Sequence, residues 1–216
     1  GFDVSVTGET VLIAALAVQG PSSCTTLTEM GLTDLNTLKP FGMREYDFEG
    51  EKLMISRTGF TGDLGYEVWV SPERAEALWD QLFDAGREYL IKPFGSYALD
   101  IARIETGFIQ AGVDFVPAEE MVRPGRTRSP YELGLEWLVD LKKPLFNGRK
   151  ALIAEKEKGS RYRFAILNID GNKPADHSFI LKGDEQIGTV TSAAWCPTAK
   201  SNIAFAQLEM PEGAVG

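Results

Sequence analysis

The residues of this chain best suited to chemistry lie between Ser56 and Val70, where three glycines precede a carboxylate, Glu67. Glycine serves where the backbone needs a positive φ or where a ligand must approach closely. A carboxylate can accept N–H bonds from a planar heterocycle while aromatic neighbours shield it from water. The stretch therefore predicts a binding site for a small flat ligand that Glu67 recognises.

The residues after the third glycine alternate as in a strand, so Tyr66 points to one face and Glu67 and Trp69 to the other. The alternative for Glu67 is an ordinary strand carboxylate that faces water. The glycines and aromatic rings nearby favour the binding role. Our candidate cofactor-binding residues are Glu67, Phe60, Tyr66 and Trp69.

Several other kinds of site are disfavoured. His177 is the only histidine, so a multi-histidine zinc site within this chain is excluded and a Ser-His-Asp triad is disfavoured. Its turn-like neighbours predict a surface position. Cys24 and Cys196 lack metal-ligand spacing, and no P-loop or G-x-G-x-x-G motif occurs. We predict no metal site and no phosphate cradle.

The composition limits the class of partner. The chain has 216 residues, of which 44% are hydrophobic, and a formal net charge of −9. Nucleic acid and anionic membrane both require a positive surface, so neither is expected as a partner. No apolar run reaches the roughly 18 residues of a membrane span, and no signal segment is present. We expect a cytoplasmic protein, or one of an organelle matrix.

Strands and helices must position these residues. The predicted elements of the first part are strands at 11–19, 43–48, 52–57 and 66–70 and helices at 21–30, 72–89 and 96–106. Trp79 belongs to the apolar stripe of the second helix and is predicted to be core. The elements alternate without strict βαβ regularity, which favours an α+β fold.

The middle of the chain is irregular between residues 113 and 130, and this segment contains Arg123, Arg126 and Arg128. Two interpretations stay open: a surface linker with solvated arginines, or a basic rim for an anionic ligand tail. The segment 131–139 is predicted to be an edge strand. In it, Trp137 would serve packing first and form a cofactor wall second.

The composition changes after a helix that is predicted to end near Lys158. Short strands are predicted at 162–169, 179–181, 185–192 and 202–209, which is typical of a small β-barrel or sandwich. We place a boundary near residue 155, with domains at 1–154 and 155–216. Because the chain starts with Gly1 and stops where a further strand begins, we expect it to be part of a longer protein.

Six motifs in this order resemble the aminomethyltransferase family, that is, the glycine-cleavage T-proteins and their tetrahydrofolate-dependent demethylase relatives. Each motif is weak alone, but six in register are specific, and the resemblance spans nearly the whole chain. The motifs are residues 19–21, 57–67, 102–107, 130–137, 146–149 and 187–192.

The resemblance implies a one-carbon transferase, either an aminomethyltransferase or a methyltransferase, with tetrahydrofolate as its cofactor. It also implies that the chain is a fragment of a three-domain clover-leaf folate-binding fold whose last domain is a small β-barrel. Glu67 matches the glutamate that holds the pterin ring in this family, and a charged acceptor makes such hydrogen bonds strong. Phe60 matches an aromatic residue of the family's glycine loop and would stack on the ring.

Two departures from the family pattern affect the expected reaction. Leu99 stands where many T-proteins have a folate-contacting arginine, four residues before the match to Arg103. The family's catalytic aspartate precedes the first motif in a region absent from this chain, so no catalytic residue is assigned. Leu99 and the arginine-containing segment favour the demethylase-like branch.

The expected partner is a small-molecule methyl or aminomethyl donor, or a lipoyl carrier protein that presents the aminomethyl group. Two alternatives stay open. One is a folate-binding accessory protein of iron-sulfur assembly or tRNA modification, although the cysteine-containing signature of those relatives is missing from residues 131–137. The other is a non-catalytic folate domain of a larger oxidase.

Overall fold

The computed structural model describes residues 3–123, 127–173 and 175–213. The chain divides into two compact units, residues 1–99 and 100–216. Helices and antiparallel sheets occur together, so the expected α+β class is confirmed. The division into domains at 1–154 and 155–216 stays a prediction.

The first unit is built on a four-stranded antiparallel sheet with strand order β1-β4-β3-β2. The elements of this unit are β1 (Ala14–Gln19), α1 (Ser23–Glu29), β2 (Met43–Phe48), β3 (Glu51–Ser56), β4 (Gly65–Val70) and α2 (Ala75–Ala85), followed by the start of α3 (Ser96–Thr106). The predicted β2 and α3 are confirmed at their residues. The predicted first strand begins three residues late, because Thr10–Leu12 form a short 3-10 turn.

One face of this sheet is covered and the other is open. Tyr66 and Val68 of β4 pack on the covered face with Leu27 of α1 and with Leu78 and Leu82 of α2. The opposite face carries the half-buried Glu67 and Trp69. A strand sends successive side chains to opposite faces, so this separation follows from the alternation in β4.

Tyr66 is almost completely buried in this core, with 1% of its surface exposed. Burial raises the pKa of Tyr66 to about 12, with a smaller contribution from the neighbouring Cys24 side chain. A phenol whose folded-state pKa lies above its ordinary value of 10.0 contributes stability below that pH and loses the contribution as the pH rises towards 12.

We therefore expect the free energy of unfolding to fall with pH across the range from 10 to 12. Tyr66→Phe should show a shallower decline, since it removes this titration while keeping the ring. Urea titrations of both proteins at a series of pH values measure the two slopes. Equal slopes would show that the hydroxyl of Tyr66 does not contribute in this way.

Helix α2 is shorter than predicted at both ends. It follows a 3-10 turn at Pro72–Arg74, and the Ser71 hydroxyl donates to Glu51 Oε2 at 2.6 Å instead of capping the helix. It ends at Ala85 with Gly86 as its C-cap, and a Cβ at Gly86 would lie 2.7 Å from the side chain of Ile91. The prediction that Trp79 is core was wrong, since it is 44% exposed, with its ring tilted against that of Phe83 at 4.6 Å between centroids.

The second unit holds the rest of α3, then α4 (Arg149–Lys158) and a second antiparallel sheet with strand order β5-β8-β7-β6. Its strands are β5 (Tyr162–Ile169), β6 (Phe179–Lys182), β7 (Glu185–Cys196) and β8 (Ser201–Glu209). Ile104 of α3 is buried with Phe205 of β8 and Ala194 of β7. Helix α3 is thus anchored to this sheet by an apolar contact.

A buried ion pair reinforces that contact. Arg103 of α3 donates through Nη1 to Asp114 Oδ2 at 2.6 Å, and the two side chains are 1% and 0% exposed. Asp114 also accepts hydrogen bonds from Gln110 N, Thr191 Oγ1 and Ser192 Oγ. Every partner is hydrogen-bonded, which is the condition under which a buried charge pair is tolerated.

The predicted edge strand at residues 131–139 was wrong. These residues form turns and a 3-10 turn at Glu136–Leu138. Gly134 has a φ of 72°, which a strand cannot accommodate. Glu132 is buried, and its carboxylate accepts the Ser129 backbone N–H at 3.1 Å. A local capping interaction has therefore prevailed over the apolar alternation.

Candidate functional site

Glu67 lies near the start of β4 on the open face of the first sheet. Its cross-strand neighbours are Ala17 on β1 and Ser56 on β3. The Thr58 hydroxyl donates to Glu67 Oε2 at 2.8 Å, and Ser56 Oγ lies 3.3 Å from the same oxygen. The two hydroxyls also contact each other. The side chain is thus held in one orientation by residues from two segments.

The hydrogens of these hydroxyls can be assigned from the distances. Each hydroxyl has a single hydrogen, and Thr58 lies closer to Glu67 than Ser56 does. We therefore assign the Thr58 hydrogen to Glu67 and the Ser56 hydrogen to Thr58. A carboxylate has about four acceptor positions, so most of its capacity is left for a ligand. Within the described part of the chain, no hydrogen bond reaches Oε1.

The floor beside Glu67 is formed by small side chains. Ala17 lies opposite Glu67 and Ala15 lies opposite Trp69, and both alanines are exposed. A methyl group projects little from the sheet, so a flat ring has room above β1 next to the carboxylate. The indole of Trp69, half-buried on the same face, forms an apolar border to this space.

The three aromatic candidates have different positions. Trp69 shares the open face with Glu67, and Phe60 is half-buried in the glycine loop, residues 57–64 between β3 and β4. Tyr66 requires a correction, because its ring lies in the core on the opposite face and its hydroxyl donates to the Leu35 carbonyl at 3.4 Å. A ligand that bonds Glu67 on the open face cannot also touch that ring.

A cavity of about 650 Å³ in the first unit borders β1 and includes Ala15 and Ala17, the two alanines of the floor beside Glu67. It is lined by β1, the start of α1, apolar residues of α2 such as Phe83, and the segment 89–96, and Leu99 also borders it. No carboxylate is among the described residues that line it. A charged carboxylate accepts stronger hydrogen bonds from N–H donors than the neutral acceptors of this cavity do, and Glu67 lies opposite Ala17 of its lining, so Glu67 remains the candidate.

The remaining predicted features lie in the second unit. Arg128 stacks over the Tyr162 ring at 4.0 Å and donates to Gln207 Oε1 at 3.2 Å, so it is packed on its own unit and is not a solvated arginine. Arg123 is exposed, and Arg126 lies outside the described residues. Trp137 is 76% exposed, which disagrees with a packing role.

His177 lies in a turn, and 77% of its side chain is exposed. Residues 3–123, 127–173 and 175–213 contain no group of three or more His, Cys, Asp or Glu placed to hold a metal ion. In the same residues, no helix has the length and apolar character needed to cross a bilayer.

Sequence reasoning missed three residues of this arrangement: Ser56, Thr58 and Gln19. Ser56 ends a predicted strand just before the glycine loop, which was a usable signal. Whether Ser56 lies beside Glu67 depends on the register of β3 against β4, and the sequence does not show that register. Gln19 and Thr58 are 39 residues apart, and no local pattern connects them.

Comparison with known proteins gives a consistent picture. The family model described as the GCVT N-terminal domain matches residues 2–143. The model of the glycine cleavage T-protein C-terminal barrel domain matches residues 163–216, in agreement with the barrel expected at the end of the chain.

Curated relatives carry related names. The chain is 32% identical to an aminomethyltransferase of Halothermothrix orenii, over 98% of this chain and 57% of that protein. It is 37% identical to a trimethylamine-oxide aldolase of Ruegeria pomeroyi, over all of this chain and 28% of that enzyme. A solved structure of the glycine cleavage system aminomethyltransferase T from Bartonella henselae matches with a TM-score of 0.78 and 26% identity, over 91% of this chain and 52% of that chain. The chain thus spans a little over half the length of the aminomethyltransferases that it matches.

Proposed function

The chain belongs to the glycine cleavage T-protein family, and from this premise we propose that the protein carrying it is a tetrahydrofolate-dependent one-carbon transferase. The observation that supports the proposal is the Glu67 carboxylate, held by Thr58 on an open sheet face with Oε1 available. Homology supports the family, and this geometry supports Glu67 as the residue of this chain that would contact the family's cofactor.

The residues of the site fit a pterin ring. Glu67 would accept N–H bonds from the 2-amino group and the adjacent ring nitrogen, and the negative charge makes such bonds strong. Ala17 would leave space for the ring, and Trp69 and Phe60 would shield it from water. Bound tetrahydrofolate would supply N5 as the acceptor of the one-carbon unit. The contribution of this chain is therefore to bind, orient and partly dehydrate the ring.

We favour the demethylase-like branch for the donor. Leu99 cannot make the polar contact that the arginine at this position would make, so the folate tail must be held differently. The similarity to an enzyme named for trimethylamine oxide supports a methylated donor, whereas the aminomethyltransferases support an aminomethyl group on a lipoyl carrier. That same enzyme supports a second candidate, a folate domain within a longer multidomain protein, because the match covers only 28% of it.

A donor panel tests this choice. The full-length protein would be incubated with tetrahydrofolate and with methylated amines, sulfonium compounds, aryl methyl ethers or aminomethyl-lipoyl protein. We expect a one-carbon derivative of tetrahydrofolate from one class of methylated donor, detected by chromatography and mass spectrometry. Turnover with aminomethyl-lipoyl protein alone would contradict the demethylase-like branch. Tight folate binding without turnover would favour the non-catalytic domain.

A further inference from the structure

The side chain of Gln19 occupies a narrow space between Gly59 of the glycine loop and Gly65, the first residue of β4. A Cβ at Gly59 or at Gly65 would lie 2.2 Å from Gln19 Oε1, which is closer than any real contact. Neither glycine has a positive φ. A side chain at either position would therefore displace the Gln19 amide from its observed place, and neither glycine is required by an unusual backbone conformation.

The Gln19 amide is hydrogen-bonded to the glycine loop and to the start of β4. Nε2 lies 3.5 Å from the Thr58 carbonyl and 3.3 Å from the Tyr66 carbonyl, and Oε1 accepts from the Thr61 hydroxyl at 3.3 Å. Thr58 and Tyr66 are, respectively, the residue that bonds Glu67 and the residue that precedes it. Each bond is long, so the position of the loop depends on the three contacts acting together with the close packing.

These contacts form a continuous connection to the carboxylate. Gln19 ends β1 and holds the backbone of Thr58, and Thr58 Oγ1 donates to Glu67 Oε2 at 2.8 Å. Gly62, with a φ of 84°, provides the turn that brings the loop back to β4. If the Gln19 amide were absent, Thr58 would lose its support from β1, and the carboxylate would lose its fixed direction.

We propose that Gln19 is a positioning residue for the Glu67 carboxylate and acts on ligand binding through the glycine loop and Thr58. The inference rests on the proposed function, because it concerns how Glu67 is directed at the pterin. In this role Gln19 bonds to the loop and needs no contact with the ligand. Its contribution should therefore disappear when the charge of Glu67 is removed.

A double-mutant cycle in the full-length protein tests this coupling. Tetrahydrofolate affinity would be measured by calorimetry for the unmodified protein, Gln19→Met, Glu67→Gln and the double variant. Methionine keeps the length of the side chain and removes its donors. We expect Gln19→Met to weaken binding about five- to tenfold, in line with the loss of one or two hydrogen bonds. In the Glu67→Gln background we expect at most about a twofold effect.

The outcomes separate the possible roles. The positioning role would be overturned if Gln19→Met weakened tetrahydrofolate binding equally in the Glu67 and Glu67→Gln proteins. It would also be overturned if Gln19→Met did not weaken binding in the protein that has Glu67. Normal affinity for Glu67→Gln itself would overturn the pterin assignment, and the positioning role with it.

A second measurement tests the packing without any ligand. Gly59→Ala should lower the melting temperature of the protein that has Gln19, but not of the Gln19→Ala variant. Alanine at position 19 lacks the amide oxygen that the new Cβ would meet. Gly8→Ala is the control, since no atom lies within 4 Å of that Cβ. An equal loss for Gly59→Ala in both backgrounds would contradict the geometry and leave the proposed function unaffected.

Discussion

Replacing Glu67 by glutamine is expected to weaken tetrahydrofolate binding by roughly 1.5 to 3 kcal/mol, the range for hydrogen bonds to a charged group. The amide keeps the shape of the side chain, and the Ser56 and Thr58 hydroxyls can accept from it as well as donate to it. The fold should therefore be retained. What is lost is the negative charge towards which the two N–H groups of the pterin would point.

The matched control for this change is Glu45→Gln. Glu45 lies on β2 in register with Met54, which in turn is paired with Trp69, so it shares the open face with Glu67. It is exposed and pairs with Lys52. Calorimetry should show near-normal affinity for this variant, and both variants should melt near the temperature of the unmodified protein. Unchanged affinity for Glu67→Gln would remove the pterin assignment.

Replacing Arg103 by methionine is expected to lower the free energy of unfolding by about 3 to 5 kcal/mol, the typical cost of breaking a buried ion pair from one side. Asp114 would stay buried at 0% side-chain exposure without its cation. Arg103 also donates to Asp100 Oδ1 at 2.6 Å and to Ser192 Oγ at 2.9 Å, so these two acceptors would lose a donor as well. Urea denaturation with a fluorescence readout measures the change.

Two variants control for this prediction. Arg103→Met combined with Asp114→Leu should cost less than Arg103→Met alone, because no buried charge is then left unpaired. Arg87→Met breaks the pair of Arg87 with Asp84, whose side chains are 75% and 73% exposed, and should cost at most about 1 kcal/mol. A similar cost for Arg87→Met and Arg103→Met would mean that burial does not determine the strength of the pair.

The two predictions concern different parts of the molecule. Glu67 belongs to the first unit and is expected to affect ligand binding, whereas Arg103 anchors α3 to the sheet of the second unit and is expected to affect stability. Their consequences can therefore be measured separately. A variant of Arg103 that lost folate binding at unchanged stability would contradict the structural role assigned to it.

Much of the fold could be predicted from local patterns. The β2 strand and α3 were predicted at their observed residues, because alternation and helical spacing are local properties that packing did not override. The prediction failed at residues 131–139, where Gly134 and the capping interaction of Glu132 with Ser129 turn the chain. It also failed for Trp79, since the helical stripe shows which side chains share a face but not how far the core extends over it.

The sequence by itself determined the family, the α+β class, and the alternation that sets Glu67 and Trp69 apart from Tyr66. These depend on residue types and on spacings of a few positions. Only the tertiary structure showed that Thr58 holds the carboxylate, that Ala17 forms the floor beside it, and that the Gln19 amide lies where a Cβ at residue 59 or 65 would be. The physical reason is that the contacts of Gln19 and Ala17 join segments about 40 to 50 residues apart, and the Thr58 bond to Glu67 bridges the loop between β3 and β4, so strand register and close packing select these neighbours.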